Sequence, residues 1–176
     1  MTTTETPTTT TTDGERADIL ETLRNARHFL RHTVAGLTDE QSAQRPTVSE
    51  LCPGGLIKHV ALVEEAWADF IVHGTAAMEP GADAWTEHTE GFRMLPGETL
   101  AAHLARYEEV ARRTDELVAT LPNLDVAHAL PEAPWFEAGK RWSARRALLH
   151  IATETAQHAG HADILRETID GQKSMG

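Results

Sequence analysis

The residues best suited to chemistry recur at helical spacing in one stretch, SARRALLHIATETAQHAGHADILRETIDG, from Ser143 to Gly171. His150, Glu154, His158 and His161 all carry donor atoms for a metal ion or a proton. At about 3.6 residues per turn, Glu154 and His158 fall one turn apart on one helix face, and His161 points roughly the same way. A second apolar stretch, GGLIKHVALVEEAW, supplies His59. Two ligands from one helix and a third from another leave a fourth position open, which is what a catalytic metal needs. A thiol held there is deprotonated at neutral pH and can attack an epoxide, an alkyl halide or an activated double bond. A water held there would support hydrolysis of an amide or ester instead. Each residue also has a plainer reading. A lone His on an apolar face is often a hydrogen-bonded core residue, and Glu and His at i,i+4 are a common helix-stabilising pair. Cys52, just before the helix that bears His59, is expected to be a buried or loop thiol, since no base can be placed beside it.

Four long helices must position these groups. The stripe Ile19, Leu23, Ala26, Leu30, Val34 predicts a helix over 15–36. Thr38 and Gln41 have the spacing of a capping box for a short helical turn. A second helix is predicted over 56–72. Leu56, His59, Val60, Val63, Trp67, Phe70 and Ile71 share its broad face, which turns His59 toward the core. A third runs over 99–121, and the fourth from the Ser143 cap to the Asp170-Gly171 stop. Between them, 75–96 and 122–142 read as irregular, with Trp85, His88, Phe92 and Met94 in a segment expected to cover one end of the bundle. Strand alternation is weak throughout. The architecture expected is all-α, a four-helix bundle whose core can carry a metal site. Glu64-Glu65 and Glu108-Glu109 read as solvated faces.

The chain has 176 residues, enough for one domain with a real core. Residues 1–13 are a Thr-rich low-complexity tail expected to be disordered, and 14–176 a single bundle domain. A net charge of −11 argues against nucleic-acid binding and against anionic membranes. No apolar run reaches the length of a membrane span, the N-terminus lacks the apolar core of a signal peptide, and the single cysteine cannot form an internal disulfide. A cytoplasmic protein is expected, and a homodimer is a plausible assembly for exposed bundle faces.

The pairing of His59 in LIKHVALVEEAW with LLHIATETAQHAGHADILRETIDG resembles the DinB/YfiT-like superfamily of metal-binding four-helix bundles, over about residues 15–171. It is most similar to the actinobacterial DinB-like branch. Where many members carry His-x-x-x-His-x-Gly, Glu154 replaces the first His, His158 and Gly160 match, and His161 replaces the common Gln. Glu at this place resembles the mycothiol-dependent maleylpyruvate isomerase, a relative with His, Glu and His ligands. The resemblance implies a divalent metal, zinc or sometimes nickel, held by His59, Glu154 and His158. It implies also a low-molecular-weight thiol such as mycothiol, so that the expected function is thiol transfer to small electrophiles. A non-catalytic metal-binding or stress-associated protein and a metal-dependent hydrolase are the alternatives. His161 is the candidate proton relay. Arg166, with Arg145 or Arg146, is the candidate to bind a carboxylate of the thiol or substrate, and Trp67, Trp85 and Trp142 to line a pocket mouth.

Overall fold

A computed structural model describes residues 10–79 and 84–174; the side chains of 10–13, 84, 85, 87 and 88 are outside that description, so the expected pocket role of Trp85 and the side chain of His88 lie outside what is described. Helix α1 spans Thr10–Thr33 and begins ahead of the expected start near 15; residues 1–9 of the Thr-rich tail lie outside the described residues. The short α2, Asp39–Ser42, is held by the predicted capping box: the Thr38 hydroxyl accepts from the Gln41 N–H while the Gln41 side chain accepts from the Thr38 N–H. Helix α3 spans Pro53–His73, α4 Ala84–Gly91, α5 Leu100–Thr120 and α6 Ala144–Asp170. Thr99 and Ser143 cap α5 and α6 through their hydroxyls, and Gly171 ends α6 in the left-handed conformation at φ 79°.

The four long helices form a ring in which α6 packs between α1 and α3, and α5 closes the ring between α3 and α1. The fold is all-α apart from a pair of three-residue strands, β1 (Ala127–Ala129) and β2 (Arg141–Ser143), which run antiparallel with His128 opposite Trp142. Strands this short show no usable alternation, which is why sequence periodicity passes over them. The hairpin holds the 130–140 loop against the end of α3: the Thr75 hydroxyl donates to Ala129 O at 2.5 Å, and the His128 ring nitrogen lies 3.1 Å from Ile71 O. No described helix is long and apolar enough to cross a membrane.

The core is two apolar clusters. One holds Leu23, Trp67, Phe70, Leu148 and Ile151; the other holds Leu30, Leu56, Val60, Tyr107 and Leu165. Between them along the helices lies an ion pair that corrects the reading of Glu64 as solvent-facing. Glu64 is 0% exposed and takes the guanidinium of Arg27, itself 4% exposed, through both oxygens at 2.5 and 3.2 Å. Arg27 also donates to Asp115 at 2.7 Å. A buried carboxylate survives only with such a partner. Glu65 behaves differently: it is half-buried and pairs with Arg106 and Arg113 on the outer face.

The start of α3 differs from expectation for a packing reason. Gly54 and Gly55, ahead of the predicted start at 56, are its first turn, behind Pro53. A Cβ on Gly55 would stand 2.0 Å from Phe92 O, so the 91–94 segment can rest on the helix only where no side chain intervenes.

Candidate metal centre

The site is built on the facing sides of α3 and α6. Their long helical periods carry His59 from one and Glu154 with His158 from the other into a shared groove. One donor atom from each of the three lies within 4.8 Å of the others. His158 is 8% exposed, while His59 and Glu154 are half-buried. The His59 ring stacks on Phe92 with centroids 3.8 Å apart and meets the His158 ring edge-on at 4.9 Å. Phe92 reaches this position because Gly55 lets its backbone approach, which ties the ring orientation of His59 to a glycine four residues earlier on the same helix.

Two distances test the fit of a metal. The Nε2 of His158 stands 3.5 Å from Glu154 Oε2. That is longer than a normal N–H···O bond. Donors bound at about 2.0–2.2 Å to a tetrahedral ion stand about 3.4 Å apart, so the α6 pair already has the separation a shared ion requires. No separation in the cluster exceeds that value by more than about 1.4 Å, within reach of side-chain rotation. Protonation agrees. Burial, with the neighbouring His161 adding to it, pushes the His158 pKa down to about 4. The imidazole is therefore neutral at pH 7, the form a metal needs. Burial likewise lowers the pKa of His150, opposed in part by Glu154.

Other groups fall around the centre in ways the spacing only partly foretells. His161 lies 3.3 Å from His158, Nδ1 to Nδ1, on the ring edge away from the nitrogen that faces Glu154. His150 stands 3.9 Å from Glu154 Oε1, beyond hydrogen-bonding distance, with its ring edge-on to Trp67. Arg166, expected to bind a carboxylate of the thiol or substrate, is engaged by the protein's own groups. Buried, it donates to Thr33 O at 3.0 Å, Ala35 O at 2.8 Å, Asp170 and Gln172. It ties the end of α1 to the end of α6. Arg145 is occupied by Glu15 and Asp125, and Arg146 lies over the Trp142 ring at 4.0 Å. Cys52 is buried as expected, its sulfur 3.7 Å from Phe92 O.

The three candidate ligands line a cavity of about 1040 Å³ opening between α3, α6, the 74–79 turn, α4 and the 131–136 loop. Trp67 lines it, and Trp142 stacks behind Trp67 at 4.7 Å. From the segment expected to cover one end of the bundle, residues 77–79 and 90–92 line this cavity. Sequence reasoning did not assign Met78, Phe92 and Phe136 to the site, although all three belong to its lining. Phe92 had a signal in the Gly54-Gly55 pair, which marks a close backbone approach.

A helical bundle with His, Glu and His converging from two long helices has the build of a DinB-like protein. The mycothiol-S-transferase family matches residues 18–171, nearly the whole chain, and the protein belongs to that family. No curated protein gives a significant match.

Proposed function

We propose that the protein transfers the sulfur of mycothiol to small electrophiles, with His59, Glu154 and His158 holding one divalent metal, zinc first and nickel second. The carrying observation is the convergence of three ligand-type side chains on the wall of a large cavity, with space beside them for a substrate sulfur. A bound metal would supply Lewis acidity that keeps a thiol ionised at neutral pH.

The protein's own residues account for the rest. Neutral His158 and the carboxylate of Glu154 give a donor set with a single negative charge. Phe92 packs His59 against rotation away from the cluster. Trp67, Met78 and Phe92 give the cavity beside the cluster an apolar wall against which an electrophile can rest. His161 supports His158: with a proton on His158 Nδ1 donated to the lone pair of His161 Nδ1, the Nε2 of His158 is left free to bind metal. A proton relay from His161 to the cavity would pass through that same ring, which the ligand role already commits. Openness of the cavity beside the cluster favours turnover over a purely structural ion.

The test is metal content and turnover together. Tag-free wild type should carry about one zinc or nickel per chain, and His158→Ala should lose it. Mycothiol-dependent consumption of an electrophile should follow the metal. A wild type that neither carries nor takes up metal at micromolar concentration refutes the ligand set. A metal-loaded protein inactive with mycothiol refutes the transferase.

A further inference from the structure

The cavity is asymmetric, and the asymmetry points to its second substrate. Along one wall, aromatic rings form a continuous ladder. Trp67 is stacked against Trp142 and meets the His150 ring at 4.9 Å, and His150 stands one helical turn before Glu154. Phe136 stands edge-on to Trp67 at 6.5 Å and to Trp142 at 5.9 Å. Trp135 continues the ladder outward, 6.2 Å from Phe136. Its indole is 78% exposed although it lines the cavity. Met78 adds a polarisable side chain to the same lining.

The position of this wall is set by the fold. The Leu130 N–H donates to Lys140 O at 2.9 Å and the Phe136 N–H to Ala133 O at 3.0 Å, so the loop closes on itself above the β1–β2 pair. Gly74, at φ 71°, seats the hairpin on the end of α3; a Cβ there would stand 2.8 Å from the His128 ring. The charged lining residues Lys58, Glu79 and Glu90 lie outside the 131–136 loop that carries Trp135 and Phe136, and the Lys58 ammonium is already matched by Glu98 at 2.7 Å. A sugar-bearing thiol needs hydrogen-bonding partners. A planar apolar ring needs faces and edges, which the ladder offers up to the candidate centre.

We propose that Trp135, Phe136, Trp67 and Met78 form the electrophile subsite and select planar aromatic electrophiles. This rests on the transferase reading for its chemistry, but not for its binding. In the reaction, the thiol sulfur bonds to the activated carbon of the aromatic compound. The bond from that carbon to its leaving group breaks, the leaving group departs with the electron pair, and the thiol proton passes to water.

The test uses the metal-loaded full chain and Trp135→Ala, a change at an exposed position that leaves Trp67 and Trp142 as reporters. Unreactive 1,3-dinitrobenzene should quench wild-type tryptophan fluorescence saturably, and Trp135→Ala should weaken that binding about tenfold at most and about threefold at least. With 1-chloro-2,4-dinitrobenzene and iodoacetamide as the aromatic and aliphatic electrophiles, the ratio of their kcat/KM values should fall in the variant by a similar factor. Phe136→Leu, which keeps an apolar side chain in the loop, should act in the same direction. Quenching that does not saturate, or that Trp135→Ala leaves unchanged, overturns the subsite. So does a variant whose KM for mycothiol rises while the ratio stays fixed, since the wall would then hold the thiol. Saturable quenching lost in Trp135→Ala, without turnover of either electrophile, supports the aromatic subsite and refutes the transferase.

Discussion

Replacing His161 by Ala should weaken metal binding without removing a ligand. Its Nδ1 lies 3.3 Å from that of His158, on the side opposite Glu154. With His161 as the acceptor, that contact keeps the proton of His158 on Nδ1 and its Nε2 free for the metal. Without it the imidazole can present Nε2–H toward the cluster, or turn out of plane. Partners of this kind are worth about 10- to 100-fold in metal affinity. A separation of 3.3 Å is long for a hydrogen bond, which places the expected loss at the lower end, about tenfold or 1.4 kcal/mol. The assay is competition for zinc against a chromophoric chelator at pH 7.5, with His158→Ala as the benchmark for a lost ligand. His161→Gln should recover part of the affinity, because its amide oxygen can accept the same Nδ1–H. Unchanged affinity in His161→Ala would refute the supporting role. A loss as large as that of His158→Ala would make His161 a ligand in its own right.

Two further outcomes follow from burial and packing. The metal-free protein should be less stable in mild acid. With His158 held at a pKa of about 4 against an ordinary 6.5, the unfolded chain binds the extra proton between those values, so stability is full above pH 6.5 and falls as pH drops toward 4. Urea unfolding should give about 2 kcal/mol less at pH 5 than at pH 7 from this group, a difference that His158→Ala removes; a flat profile in wild type contradicts the burial argument. Gly55→Ala should destabilise the fold by about 1–3 kcal/mol and lower metal affinity as well, because the new methyl meets the backbone of Phe92, whose ring packs on His59. Wild-type metal affinity in that variant would show that Phe92 does not hold His59 in place.

What the sequence made legible was local or strongly periodic. Ser143 and Gly171 mark α6 because a hydroxyl cap and a left-handed glycine act within one turn. His59, Glu154 and His158 could be paired because each lies on a helix whose facing side is unambiguous. The Arg27–Glu64 pair was there to be read as well. Arg27 falls at stripe spacing between Leu23 and Leu30, and Glu64 between Val60 and Trp67, so two opposite charges stand in two apolar stripes. Treating Glu64-Glu65 as one acidic unit hid that, since adjacent helical residues face about 100° apart. Arg166 was illegible for another reason. Its role depends on where the end of α1 lies, a contact between residues more than a hundred positions apart. The aromatic wall depends likewise on a hairpin of three-residue strands and on a backbone approach at Gly74, neither of which leaves a periodic trace.

This division has a physical consequence for the site. The candidate ligands arise from the interiors of α3 and α6, where Leu56, Val60, Ile151 and Ala159 are buried against other helices and fix the backbone. Moving a ligand would therefore mean repacking the core. The wall opposite rests on the 74–79 turn, the 91–94 segment and the 131–136 loop, which border the open cavity. Trp135 contributes an exposed indole and little packing, so a change there costs the fold little. On the proposed transferase reading, the bundle separates reactivity from selectivity. Substitutions in the 131–136 loop can alter which electrophile is held while the His59–Glu154–His158 cluster keeps its geometry, whereas a single methyl at Gly55 disturbs the cluster through Phe92 without touching the loop.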